Sequence, residues 1–212
     1  MNPTEYIVLG LIAATFVCPL VWRKASRRVF LPCPSGLAWL LELENPFTKA
    51  TRAATIIEIL DLQPGMKVLD VGCGPGRLAI PMARKVGPEG EVVAIDIQRK
   101  MLGRAEEKAR AEKVGNIRFA LVGTEEGKLN RNAYDRAALV TVLGEIPDPA
   151  SVLRKIFLAL KPGGILSVTE VIFDPHFLRR GTVLRLGEEA GFQEKEFFGR
   201  SLVYTLTFEK PV

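Results

Sequence analysis

Apolar and polar positions alternate along this chain in two different rhythms, and one stretch follows neither. Tyr6–Trp22 (YIVLGLIAATFVCPLVW) carries no charge at all. At the helical rise of ~1.5 Å per residue it reaches about 25 Å, the short end of a bilayer span. From Phe47 onward the rhythms alternate. Helical spacing predicts helices over Thr48–Leu60, Arg77–Val86, Gln98–Lys113, Ala150–Leu160 and Thr182–Ala190. Short β-rich runs predict strands at Lys67–Val71, Glu91–Asp96, Asn116–Val122, Tyr134–Thr141 and Ile165–Phe173. Pro64-Gly65 and Lys161-Pro162-Gly163-Gly164 mark turns. Phe192–Phe198 and Leu202–Phe208 close the chain as a hairpin around Gly199. Strands alternating with helices predict an α/β domain, its sheet mostly parallel and covered on both faces, with the hairpin as an antiparallel edge.

Charge sharpens the reading of the N-terminus. The chain of 212 residues has a net charge of +5, and Arg23, Lys24, Arg27 and Arg28 against Glu5 put +3 of it in the first 34 residues. That excess follows the apolar run directly, where the positive-inside rule expects it on a cytoplasmic flank. Residues 1–28 therefore read as an uncleaved single-pass anchor with the rest of the chain on the cytoplasmic side. A signal peptide fits less well, because no basic residue precedes the run and no Ala-x-Ala-like site follows it. Packing of the same helix on the domain, or in a dimer, is the alternative. Residues 29–46 read as a linker, in which Pro32 and Pro34 forbid helix and Ser35 caps a short Leu-rich helix carrying Trp39. Residues 47–212 read as the folded domain. The near-neutral charge of the chain outside residues 1–34, +2 of the +5, argues against nucleic acid as a partner. Cys18, Cys33 and Cys73 make neither a disulfide framework nor a metal site, and with one histidine in the chain no metal is expected.

The stretch VLDVGCGPGR, residues 68–77, carries the most chemistry. An apolar strand runs into Asp70, and Gly72, Gly74 and Gly76 alternate before a helix. Glycines belong where a backbone turns sharply and lets a ligand approach closely. The dinucleotide pattern would need glycine at Arg77, and the Walker pattern needs Gly-Lys-Ser/Thr, which is absent. Asp96 ends the second strand in VVAIDIQ, where a carboxylate accepts hydrogen bonds from both hydroxyls of a ribose. Loop and acid together suit a nucleoside without a pyrophosphate. Asp70 as a cap of the next helix, and Asp96 as a turn residue, are the bland alternatives.

VLDVGCGPGR, VVAIDIQ, GTEEG (123–127), YDRAALVTVLGEIPDP and LKPGGILSVTE together resemble the class I S-adenosylmethionine-dependent methyltransferases, nearest the quinone- and phospholipid-type small-molecule branch. The resemblance runs from about Asn45 to the C-terminus and implies a Rossmann-like sheet with S-adenosylmethionine as cofactor. It implies that Asp70 and the loop Gly72, Cys73, Gly74 and Gly76 lie against the methionine part. Asp96 then holds the ribose and Ile97 packs on the adenine. The family usually has Asp or Asn after the glycine that follows strand three. This chain has Gly123-Thr124-Glu125, so the adenine contact passes to Thr124 or Glu125. Val140 and Leu143 are expected to line the cleft. Related sequences often carry His where this chain has Gly144, which leaves Glu145 and His176 as candidates for a base or substrate contact. Cys73 reads equally as a small buried filler, and Asp174 with His176 as capping or packing residues.

The expected reaction is methyl transfer to a membrane-associated small molecule or lipid, a quinone precursor or phospholipid headgroup, with the bilayer as partner. A membrane-tethered protein methyltransferase and a non-catalytic cofactor-binding module are the alternatives.

Overall fold

A computed structural model describes residues 52–122 and 127–212. The expected anchor, its basic flank, the linker, Thr48–Thr51 and the loop positions Thr124 and Glu125 lie outside the described residues. Among the described residues no helix is long and apolar enough to cross a membrane.

The order is α1 (Ala53–Ile59), β1 (Lys67–Val71), α2 (Ala79–Val86), β2 (Glu91–Asp96), α3 (Arg99–Ala111), β3 (Ile117–Leu121), β4 (Tyr134–Val140), a 3-10 turn (Leu143–Glu145), α4 (Pro149–Ala159), β5 (Leu160–Val171), α5 (Arg180–Glu189), β6 (Gln193–Arg200) and β7 (Val203–Glu209). The seven strands form one sheet in the order β3-β2-β1-β4-β5-β7-β6. β1 to β5 pair in parallel, and β7 pairs antiparallel with both β5 and β6. This is the expected Rossmann-like sheet with an antiparallel edge.

Alternation along the strands feeds two cores. On one face Val68, Val92, Ala94 and Ala138 pack with Ile56 of α1 and Ala79 and Met82 of α2. On the other, Leu69, Val93, Leu139 and Val168 pack with Leu153 and Ile156 of α4 and Val183 and Leu186 of α5. Strands buried on both faces read as nearly continuous apolar runs, which is why β1, β2 and β4 were legible. The outermost strand, β6, is almost wholly exposed. Its Glu194, Lys195, Glu196 and Arg200 discourage pairing with another chain.

Several boundaries differ from expectation, three of them with an identifiable physical reason. α4 begins at Pro149 because Asp148 caps it, its side chain accepting the Ser151 N–H at 2.9 Å with proline in the first turn. β5 begins at Leu160 instead of Ile165. The expected Lys161–Gly164 turn is held in the ladder: Gly163 N–H donates to the Lys210 carbonyl at 2.8 Å, and Lys210 N–H to Gly164 at 2.9 Å. Gly199 is not the hairpin turn. It lies within β6 opposite Tyr204, with the turn at Ser201-Leu202.

The topology fixes where a ligand can sit. After β1 the chain builds outward through β2 and β3, then returns to place β4 on the other side of β1. The loops leaving β1 and β4 therefore diverge at the carboxyl edge, the usual crevice for ligands in an open α/β sheet.

Candidate active site

β1 delivers Asp70 and the glycine loop to that crevice. Gly72, Gly74 and Gly76 have φ of +73°, +52° and +84°, a region that side-chain-bearing residues rarely adopt. Gly72 is constrained twice, because a Cβ there would fall 2.5 Å from a methyl of Val142 in the loop after β4. The β1 and β4 loops thus touch through a residue that has no side chain. The Gly72 and Cys73 N–H groups both donate to the Ile95 carbonyl, at 2.8 and 3.1 Å, tying the loop to the end of β2.

Asp96 completes the tie. One carboxylate oxygen accepts the Gly74 N–H at 2.9 Å and the other accepts the Gln98 N–H at 2.8 Å. It is therefore a turn residue and a loop clamp at once. Two backbone donors fix the plane of the carboxylate, and each oxygen keeps a second lone pair for a hydroxyl. Ile97, next along, is 62% exposed, an uncovered apolar side chain suited to a flat ring.

Asp70 does not cap the following helix, since α2 starts after Leu78 with no side-chain cap. The Asp70 carboxyl is buried, and its Oδ2 has no hydrogen-bond partner. Burial pushes it up to about 7, opposed by the Arg77 guanidinium and reinforced by Asp96. A buried, unpartnered carboxylate oxygen beside an open loop is a group awaiting a donor. The Cys73 thiol is buried too, and desolvation first, then the charges of Asp70 and Asp96, raise its pKa well above the ordinary value. It stays protonated and fills space, so it is no nucleophile.

Two expectations for strand four divide. Val140 is partly buried against the α1–α2 core. Leu143 is fully buried in the opposite core, so it does not line the cleft. The 3-10 turn rotates its side chain inward, and Val142, unremarked in the sequence, stands against the glycine loop instead.

Past β4 and β5 lies a second group of polar side chains. Gly144 and His176 sit in touching loops: a Cβ at 144 would fall 2.0 Å from the His176 carbonyl oxygen. This explains why no larger residue stands at 144. Asp174 shapes that loop, its carboxylate accepting the His176 N–H at 2.6 Å. The His176 ring is buried, with neither nitrogen hydrogen-bonded and Nδ1 3.8 Å from Asp174 Oδ1. Glu145 is partly buried. Burial, then the charges of Asp174 and Asp96, push it up to about 8.

Glu170, missed in the sequence, sits in the same group. It is fully buried near the end of β5 opposite Tyr204. Its Oε2 accepts the Leu178 N–H at 3.0 Å, and its Oε1 has no partner. Burial raises it to about 8, eased by the Leu178 N–H and reinforced by Asp174 and Glu145. Only its place as the one acid inside an apolar strand run (ILSVTEV) marked it out. Tyr204, its cross-strand neighbour, donates to the Leu178 carbonyl at 2.8 Å and stacks on Phe197, a structural role.

Residues 62–191 match the Methyltransferase domain family. The chain belongs to that family. The residues fit its methyl donor, S-adenosylmethionine: the Asp96 carboxylate would hold the ribose hydroxyls, exposed Ile97 would cover the adenine, and the unpartnered Asp70 oxygen with the glycine loop would meet the amino-acid end. When bound, that cofactor supplies an electrophilic methyl group on a sulfonium. The tRNA (adenine(58)-N(1))-methyltransferase TrmI of Thermus thermophilus is 37% identical over 146 residues, 64% of this chain and 55% of that protein. The demethylmenaquinone methyltransferase of Geobacillus kaustophilus is 33% identical over 110 residues, 52% of this chain and 47% of that protein. The chain spans about half the length of the curated relatives it matches. A SAM-dependent methyltransferase from Aquifex aeolicus shares the fold, with a TM-score of 0.73 at 21% identity over 84% of this chain and all of that one.

Proposed function

We propose that this methyltransferase domain methylates a membrane-resident small molecule or lipid, a quinone precursor or a phospholipid headgroup, and that residues 1–28 tether it to the bilayer with the domain on the cytoplasmic side. The observation that carries the reading is the apolar rim beside the second polar group. Phe173, just past β5, is 81% exposed, and Leu202 in the β6–β7 turn is 55% exposed. They belong to one surface, because the Ile172 N–H donates to the Leu202 carbonyl at 2.8 Å. Large uncovered apolar side chains beside a group of buried acids suit an acceptor with an apolar body. The uncharged run Tyr6–Trp22 with its basic flank supports the tether, and the demethylmenaquinone relative supports an acceptor of this kind.

The similarity to a tRNA adenine methyltransferase favours a second reading, an RNA acceptor. The +2 left to residues 35–212 speaks against it. One experiment separates them: full-length protein is incubated with labelled S-adenosylmethionine and a whole-cell extract, which is then divided into lipid, RNA and protein. Label is expected in the lipid fraction; label confined to RNA or protein ends the lipid reading. Alkaline and high-salt washes of membranes test the tether in the same preparation, since salt screens the basic flank without touching apolar burial. Release by salt alone would exclude a spanning segment.

A further inference from the structure

The second polar group takes no part in the hydrogen bonds that hold the glycine loop and Asp96, yet it gathers unusual side chains. Burial first, and then the nearby charge of Asp174, raises the affinity of both Glu145 and Glu170 for protons, and Glu145 adds to the effect on Glu170. Glu170 is fully buried with one oxygen unpartnered, and the buried His176 ring has both nitrogens unpartnered. Desolvated groups of this kind are costly unless something meets them. No arginine or lysine among the described residues offsets either glutamate. Arg180, the cation that faces the neighbouring Tyr204, is engaged with Glu194 at 2.6 Å and with the Phe197 ring at 4.7 Å. Nor are the acids grouped as metal ligands among the described residues. What is missing is an organic cation.

We propose that the acceptor is an amine, held as its cation by the carboxyl groups of Glu145 and Glu170, with the His176 ring taking the proton that its nitrogen must lose. The proposal rests on the small-molecule reading above and narrows it. An ammonium arriving beside Glu145 and Glu170 favours their ionised forms, so that they release their protons and make two charge-assisted contacts, whereas a phenolate or a phosphate disfavours that ionisation and gains none. The apolar rim at Phe173 and Leu202 then receives the rest of the molecule.

The step balances. One ammonium proton passes to an unpartnered His176 nitrogen, leaving a neutral amine. Its lone pair forms the N–C bond to the methyl carbon as the C–S bond breaks, and that electron pair stays on sulfur. A sulfonium and an amine become a thioether and a methylated ammonium. Glu145 and Glu170 hold the nitrogen in place throughout, and the charge they face is the same before and after transfer. Their contribution is orientation at near-attack distance.

The test uses the full chain loaded with S-adenosylhomocysteine and three probes of one length: octylamine, octanol and octanoate. Calorimetry is expected to show octylamine binding roughly tenfold or more tightly than octanol, with octanoate weakest, because a charge-assisted contact is added and then reversed in sign. Glu170→Gln and Glu145→Gln, which keep size and hydrogen-bonding shape, should each weaken octylamine about tenfold and leave octanol and S-adenosylhomocysteine unchanged. Equal binding of octylamine and octanol, or indifference of octylamine to both substitutions, overturns the amine assignment. Mass spectrometry of the labelled lipid distinguishes the two levels of failure. A methyl group on nitrogen supports the proposal, and one on oxygen or carbon overturns it while the lipid reading stands. Label in RNA or protein alone overturns both.

Discussion

The two halves of the carboxyl edge handle buried acids in opposite ways. Beside β1 and β2, Asp96 is satisfied by backbone: two N–H groups at 2.8 and 2.9 Å fix it before any ligand arrives. Beside β4 and β5, Glu170 has one backbone donor and an unpartnered oxygen, and Glu145 has like charges for neighbours. The first half is a cradle whose ribose acid is fixed in advance by backbone, with one unpartnered oxygen of Asp70 left for the ligand. The second is left electrostatically incomplete, so whatever completes it is selected by charge. Invariant chemistry is written in backbone geometry and specificity in side chains, a division the fold permits because loops carry function on a rigid sheet.

The largest test of this contrast is Gly144→Ala. Its Cβ meets a backbone carbonyl, which cannot rotate aside as a side chain can. We expect a loss of about 3 kcal/mol or more in stability, the upper part of the overpacking range, read as a fall in denaturation midpoint. Gly72→Ala should act differently, since Val142 can give way. There cofactor affinity should collapse while the chain still folds. If Gly144→Ala proves harmless, the two loops do not pack as described.

Asp96→Ala comes next. It strips the ribose contact and also leaves the Gly74 and Gln98 N–H groups unpaired, each costing about 1–3 kcal/mol where water cannot replace the partner. Cofactor affinity should fall at least about tenfold, and thermal stability should fall with it. Affinity lost with stability intact would show that water takes over both donors.

The smallest effect concerns pH. Glu145 and Glu170 hold their protons up to about 8 in the folded chain, and Asp70 up to about 7, whereas the unfolded chain releases them near the ordinary 4.5 and 3.8. The folded state therefore binds more protons between those values. This contribution to stability is full below the ordinary values and is lost as pH rises through 7 and 8. Glu170→Gln removes one source of that loss. Its midpoint should exceed the wild type's above about pH 8 and converge with it toward pH 5. Parallel curves at every pH would mean that Glu170 meets enough water to ionise freely.

What the sequence determined by itself was the cofactor half. The alternation of apolar strands and helices, Gly72–Gly76 after β1 and Asp96 at the end of β2 were all local signals, because a turn needing positive φ must be written as glycine within a few residues. The mostly parallel sheet and its antiparallel edge followed from the same rhythm. The tertiary structure alone decided the rest. It turned Leu143 into the core and set Val142 against Gly72. It kept Lys161–Gly164 in the ladder through a partner some fifty residues away. It brought Glu145, Glu170 and His176, from two different loops and a strand, into one group. No spacing rule could have announced that gathering, for the residues meet only where the carboxyl ends of β4 and β5 lie side by side, and electrostatic coupling depends on distance in space and on exclusion of water, neither of which is written along the chain.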